Sequence, residues 1–457
     1  MTTLVAGVDL STQATKVIVS DADTGEIRRE GRATHLEATE IEPARWLAAF
    51  EAATSGGLLD DVEAIAVGGQ QHGLVLLDRD GSVVRPALLW NDNRSGGAAT
   101  ALVEELGRSE WADAVGSVPV ASFTITKLRW VAEHEPHLAQ QADAAVLPHD
   151  WLTSRLLRGA RLVTDRGDAS GTGYWSPFDG RYRNDLLIRA FGRDLKTPAV
   201  LGPAEIAGET VDGKIVAAGT GDNMAAALGL GATTGDLIVS IGTSGTVSAV
   251  HDAPTADRSG AVAGFCDATG HFLPLVCTLN AARVLVATAE LLGTNLAGLD
   301  QLALAAEPGA GGLVMVPYLD GERTPNRPNA TGTLRGLTRA SMTPANLARA
   351  AVEGMLCGLA DAVEALTARG ITPNRAILIG GGANSLAVQA LAPSILGVPM
   401  MVPDPAEYVA KGAARQAAWA LRGSLPTWHV PTGETLVPTF DAAPVRAGYA
   451  AARGRVD

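Results

Sequence analysis

Leu4-Val5-Ala6-Gly7-Val8-Asp9-Leu10-Ser11-Thr12-Gln13-Ala14-Thr15-Lys16-Val17-Ile18-Val19-Ser20 is the stretch on which the reading of this chain turns. The apolar run 3–10 reads as a buried strand, Ser11 to Thr15 as a turn, and Lys16 to Ser20 as a second strand. The pattern returns at 237–250, where Leu237-Ile238-Val239-Ser240 enters Gly242-Thr243-Ser244-Gly245 and leaves along Thr246 to Val250. Two strand, hydroxyl-rich turn, strand units, about 230 residues apart, predict a duplicated domain with two related halves across a cleft.

Between the two units, helical periodicity near 43–54, 96–107, 125–140 and 150–158 mixes with short strands at 64–68 and 74–77, which makes the chain α/β. The clearest helix is 344–369, with Leu347, Ala351, Met355, Leu359, Val363 and Leu366 recurring at three or four residues. Thr343 suits its cap, Pro344 its first turn and Gly370 its end. Gly231 to Gly235 separates a helical segment from the second hairpin, so the predicted domains are 1–231 and 235–457. The stretch 423–457, rich in Pro and Ala, reads as irregular and without chemistry.

With Lys+Arg 36 against Asp+Glu 49, the net charge of −13 lacks the diffuse positive field that nucleic acid or an anionic membrane surface requires. A local basic pocket for a phosphate is not excluded by that balance. The apolar stretches 214–231 and 274–292 are interrupted by Asp222, Asn280 and Arg283, so neither reads as a membrane span. The N-terminus has no basic segment, and Asp9 stops its apolar run short of a signal peptide. Cys266, Cys277 and Cys357 are odd in number and without C-x-x-C spacing, which argues against a disulfide framework or a zinc site and for a cytoplasmic location. Gly 52 is the conspicuous count, and part of it clusters at 68–73, 219–221, 242–245 and 380–382.

The loop Asp9 to Lys16 sets a carboxylate at a strand end, hydroxyls and N–H groups in the turn, and an ammonium beyond it. Such a loop can wrap phosphate oxygens while Asp9 reaches Mg²⁺, directly or through water; an ordinary Asx or Ser/Thr turn has the same residues. Ser240 to Gly245 offers the same chemistry from the second half. Ile377-Leu378-Ile379-Gly380-Gly381-Gly382-Ala383-Asn384-Ser385 is a third candidate, where glycines let a flat ring lie against backbone; a tight strand-to-helix turn is the plainer alternative. Neither G-x-G-x-x-G at this loop nor G-x-x-x-x-G-K-[ST] anywhere supports a Rossmann or P-loop site.

Residues 214–231 read as a strand, a Gly-Thr-Gly turn and a small-residue helix with Asp222 at its start. Capping explains an Asp there. The flanking glycines also clear an approach for an alcohol whose proton a carboxylate could accept during phosphoryl transfer. Gly68-Gly69-Gln70-Gln71-His72-Gly73 and Leu88-Leu89-Trp90-Asn91-Asp92-Asn93-Arg94 supply amides, an imidazole, an indole and a carboxylate suited to a polyhydroxylated ligand. His72 taken alone could equally be a satisfied structural histidine.

In order along the chain, Gly7-Val8-Asp9 with its turn, Gly-Gln-Gln-His-Gly, Leu-Leu-Trp-Asn-Asp, Gly-Asp-Asn, Ser-Ile-Gly-Thr-Ser-Gly and Ile-Gly-Gly-Gly-Ala resemble the FGGY carbohydrate kinases. Pro317-Tyr318-Leu319-Asp320-Gly321-Glu322-Arg323-Thr324-Pro325 sharpens the resemblance to one branch. So does the run from Gly332 through Leu337 and Asn346-Leu347 to Val352-Glu353-Gly354. The resemblance covers about residues 4–421 and implies a two-domain actin-like, ribonuclease-H-like α/β fold with a central cleft. It also implies transfer of phosphate from ATP, with Mg²⁺, to the terminal hydroxyl of D-xylulose.

Carried over by position, Asp222 matches the catalytic base and Asn223 a sugar contact. Gln71 and His72 match the substrate pair, and Trp90 and Asp92 the sugar pocket. Asp9, Thr12, Gln13 and Lys16 match the first phosphate loop, Gly242 and Thr243 the second, and Gly381, Gly382 and Asn384 the adenosine loop. Gln71 stands where the family commonly has Met, which bears on sugar preference, and Ser11 stands at a position that is often glycine. The partners implied are a small-molecule sugar and ATP, with no nucleic acid and no membrane; a homodimer is compatible with the small-residue helices. A kinase for another ketose or polyol, or a non-catalytic actin-like nucleotide-binding protein, would share the phosphate loops. The cluster Gln71, His72, Trp90 and Asp222 distinguishes a sugar kinase from the latter.

Overall fold

The computed structural model describes residues 2–35, 38–429 and 433–456. They form two units: Met1–Ala232 with Asp252–Leu273 and Ala406–Val430, and Thr233–His251 with Pro274–Pro405 and Pro431–Asp457. The sequence predicts a single cut between residues 231 and 235; instead, two later segments return to the first unit. The reason for the second return is steric. Helix Tyr408–Arg422 buries Ala410, Ala413, Ala414 and Ala417 in one cluster with Val5, Ala64 and Ala66. It lies so close to strand Leu4–Leu10 that a Cβ on Gly7 would be 1.9 Å from the Ala410 carbonyl oxygen.

The sheet of the first unit runs Ile206–Glu209, Ile215–Ala217, Val62–Gly69, Leu4–Leu10, Ala14–Asp21, Ile27–Thr34. Leu4–Leu10 pairs antiparallel with Ala14–Asp21 and parallel with Val62–Gly69, and the latter register sets Asp9 beside Gly68. Strand Thr220–Gly221 joins the same neighbour, Thr220 beside Gly68 and Gly221 beside Gly69. Two chain segments far apart in sequence therefore end at one point of the sheet, and Asp9 and Asp222 are carried there. Val8, Val17, Ile65, Trp46, Phe50 and Trp151 fill the core, with Trp46 and Trp151 edge to face at 6.0 Å.

In the second unit, Asp236–Ile241 pairs antiparallel with Gly245–Ala249 and parallel with Arg375–Ile379, repeating the arrangement around Leu4–Leu10. Strands Met400–Met401 and Thr435–Leu436 extend this sheet beyond Arg375–Ile379. Helix Pro344–Thr367 begins where Thr343 Oγ1 accepts from the Asn346 N–H at 3.2 Å, and Ala351, Met355, Leu359, Val363 and Leu366 are buried along it.

Two expectations are corrected. The periodic segment 125–140 is two helices, Thr124–His134 and Pro136–Gln141, because Pro136 cannot continue the first. The stretch 423–457 is not wholly irregular: it contains strand Thr435–Leu436 and helix Ala443–Arg453, while 430–432 and 457 lie outside the described residues. That helix buries only Val445, Tyr449 and Ala452, too sparse an apolar stripe to stand out against its alanines.

Candidate active site

Asp9 ends the central strand and is 3% exposed. Ser11 Oγ donates to its Oδ1 at 2.5 Å, and Lys16 Nζ lies 3.3 Å from its Oδ2. Burial raises the Asp9 pKa, opposed by Lys16 and Ser11. Lys16 is also held by Glu407 Oε2 at 2.6 Å, a partner 391 residues away that the sequence does not point to. Ser11 is not among the residues with positive φ, so serine there carries no left-handed strain. Thr12 Oγ1 accepts from Trp90 Nε1 at 2.9 Å, which joins the first turn to the Leu88–Arg94 segment. Gln13 is exposed at the tip, with its carbonyl bonded by the His35 N–H.

Helix Asp222–Leu230 has Gly221 at its cap position, so Asp222 stands inside the first turn rather than capping it. Its Oδ1 accepts from the Asn223 N–H at 2.8 Å and from Asn223 Nδ2 at 2.9 Å. The carboxyl is partly exposed yet ringed by protein. Desolvation pushes its pKa up to about 7, opposed by the Asn223 backbone bond and reinforced by the Asp9 charge. Its helix is fixed by close packing: Cβ atoms on Gly229 and Gly412 would lie 2.1 Å from the Tyr408 oxygen and 1.8 Å from the Ala225 oxygen.

Asn223 Nδ2 also donates to Gln71 Oε1 at 3.0 Å, while the buried Gln71 Nε2 has no hydrogen-bond partner. His72 has φ +68°, a conformation β-carbon sterics disfavour and one that often marks functional sites. Its Nδ1 donates to the Gly171 carbonyl at 2.7 Å, so in the neutral ring Nε2 is an acceptor. The ring stacks on Phe123 at 4.8 Å and meets Phe265 at 5.5 Å. Trp90 is 37% exposed and Asp92 3%. Burial would raise the Asp92 pKa, but Arg94 donates to its Oδ1 from N and Nε and holds it below its ordinary value. Asp92 is thus tied to Arg94 rather than presented as an open carboxylate.

The second unit gathers its own set. The Gly242 N–H donates to Ser244 O at 3.0 Å, closing the turn, and Thr243 and Asn384 are exposed. Gly380, at φ +89°, has no room for a side chain: a Cβ would lie 2.7 Å from the Ile241 oxygen. A Cβ on Gly382 would lie 2.2 Å from Ile241 Cγ2, whereas Gly381 opens onto empty space. The glycine loop therefore abuts the end of strand Asp236–Ile241 through Gly380 and Gly382.

The sequence reading missed several groups. Behind Asp222 lies a buried cluster of His149, Asp150, Asp165, Asp168 and Thr220, none more than 2% exposed. In the second unit, Arg283 bonds Asp320 at 2.7 Å and Thr243 O at 3.4 Å. Asp300 accepts from the Leu386 N–H at the start of helix Leu386–Leu396. The signal the sequence offers for the buried cluster is the recurrence of His149, Asp150, Asp165 and Asp168 within the segment 149–168.

A carboxylate beside hydroxyl- and glycine-rich turns, on an α/β fold with a repeated strand frame, defines a sugar kinase of the actin-like class. The N-terminal domain of the FGGY family of carbohydrate kinases matches residues 4–231 and its C-terminal domain residues 237–421. The chain belongs to that family and is a phosphotransferase. It is 45% identical to the xylulose kinase of Streptomyces coelicolor over 92% of this chain and 88% of that one. It is 44% identical to the xylulose kinase of Streptomyces rubiginosus over 95% of this chain and 92% of that one. The crystal structure of xylulose kinase from Bifidobacterium adolescentis superposes with TM-score 0.92 at 46% identity, covering 99% of this chain and 100% of that one. Among the described residues, no helix is long and apolar enough to cross a membrane.

Proposed function

We propose that the chain catalyses ATP-dependent phosphorylation of D-xylulose at its terminal hydroxyl, with Asp222 as general base. The relatives' names support the acceptor and the reaction. The observation that carries the role of Asp222 is its placement: a carboxylate one residue inside a helix, with a pKa near 7, where a base can take a proton and return it. As the sugar oxygen bonds to the γ-phosphorus, its proton passes to Asp222 and the bond from phosphorus to ADP breaks. The transition state is loose, so alignment matters more than nucleophile strength. Asn223 orients the carboxylate, Gln71 and His72 hold sugar hydroxyls, Trp90 offers an apolar face, and Asp92 positions this wall through Arg94.

Thr12, Gln13, Lys16, Gly242 and Thr243 hold phosphate oxygens, and Gly381, Gly382 and Asn384 hold the adenosine. Asp9 fits Mg²⁺: it is a hard-oxygen donor at a strand end, bonded among the described residues by one hydroxyl, Ser11, and one ammonium, Lys16. When bound, the ion would neutralise charge on the transferring phosphoryl group. Free Cys266, Cys277 and Cys357 accord with a cytoplasmic setting. An ADP-release assay over pentuloses, hexuloses, alditols and gluconate tests the substrate. D-xylulose should give the highest kcat/KM, and a clear preference for another acceptor would overturn that assignment.

A further inference from the structure

Beneath the segment that carries Asp222, the ring of His149 is wholly buried. Its Nε2 faces the Ala218 carbonyl oxygen at 3.2 Å, and a carbonyl can only accept, so Nε2 bears a proton. Its Nδ1 faces Asp168 Oδ2 at 2.7 Å and Asp150 Oδ1 at 3.3 Å. Asp165 closes the group, accepting from the Gly167 and Asp168 N–H groups and from Thr220 Oγ1, each at 2.8 Å. Three buried carboxyl groups thus surround one nitrogenous ring, and among the described residues no Lys or Arg forms an ion pair with any of them, so His149 is the basic group at hand to balance their charge.

We propose that His149 is held as an imidazolium and acts as a positioning residue for Asp222. The coupling is geometric. His149 grips Ala218, Asp165 grips Thr220, and Gln416 Nε2 donates to Gly219 O at 3.1 Å. A Cβ on Gly219 would be 2.7 Å from His149 Cδ2, so the ring fills the space under the turn. These contacts fix the three residues before Gly221, and Asp222 follows directly. A metal ion shared by His149, Asp150 and Asp168 is the competing occupant, but the Nδ1 to Asp168 separation of 2.7 Å is that of a direct hydrogen bond.

The inference rests on Asp222 being the base, and the test separates the two. In the full-length protein, ¹⁵N NMR of the imidazoles at neutral pH should show His149 protonated on both nitrogens. His149→Gln should lower kcat on the order of tenfold or more with sugar KM little changed, and His149→Lys should recover most of the loss. Thr220→Val, which cuts the Asp165 tie without changing charge, should show the same kcat-weighted defect and decides the matter if the Gln variant does not fold. A neutral His149 ring, a stoichiometric metal lost in Asp168→Asn, or wild-type kcat in both variants overturns the proposal. Should Asp222→Asn itself retain turnover, the general-base reading fails instead.

Discussion

The hairpin at Leu4–Asp21 and the hairpin at Asp236–Ala249 share one frame and carry opposite chemistry. Each central strand pairs antiparallel with the strand after its turn and parallel with a later strand that ends in glycine, Gly69 in one case and Gly380 beyond Ile379 in the other. In the first, Asp9 and Lys16 face each other across the ladder. In the second, Ser240 faces Thr246 and no charge is present at that rung. On the proposed function, the first frame would serve a cation at Asp9 and the second would meet its ligand through backbone. A duplicated scaffold fixes where a strand ends; the side chain placed there decides what that end can do.

The largest way to break this contrast is Asp222→Asn. It should lower kcat by about 10²–10⁴ while calorimetry shows unchanged ATP affinity; parallel loss of nucleotide binding would mean that Asp222 also supports the nucleotide. Gly380→Ala attacks the other side. Its Cβ meets the Ile241 backbone at a positive φ, at a cost of about 1–3 kcal/mol, so ATP KM should rise about tenfold with sugar binding intact.

Acid should act through the first unit alone. A base must be ionised, and the Asp222 pKa is raised to about 7, so kcat/KM should fall about tenfold per unit as pH drops below that value. A pH profile flat down to pH 5 would contradict the assignment. The smallest effect expected is that of Trp90→Phe, which loses the 2.9 Å bond to Thr12 at a partly exposed site. That bond is worth about 0.5–1.5 kcal/mol, which should appear as a few-fold rise in sugar and ATP KM together.

Much of this was legible because it is local. Alternation of apolar runs with hydroxyl and glycine turns announces both hairpins, and a Gly-Thr-Gly turn before small residues announces the helix that starts at Asp222. The site groups that the sequence does not show are all pairings. Nothing near Lys16 points to Glu407, and nothing in His149, Asp165 and Thr220 shows that three segments converge under one turn. Helix Tyr408–Arg422 looked like a member of the second half because sequence position is a poor guide to which sheet a small-residue face can approach.

The sequence by itself determined the repeated strand frame, the glycine turns and the residue types available for phosphate, sugar and proton, since each follows from periodicity and backbone freedom over a few residues. Only the tertiary structure decided which carboxylates are open and which are tied. Asp168 is held by His149, while Asp222 keeps a raised pKa beside Asp9. Burial and the charge of neighbours from distant segments set a carboxylate's proton affinity, and neither is a property of the residues beside it in the chain.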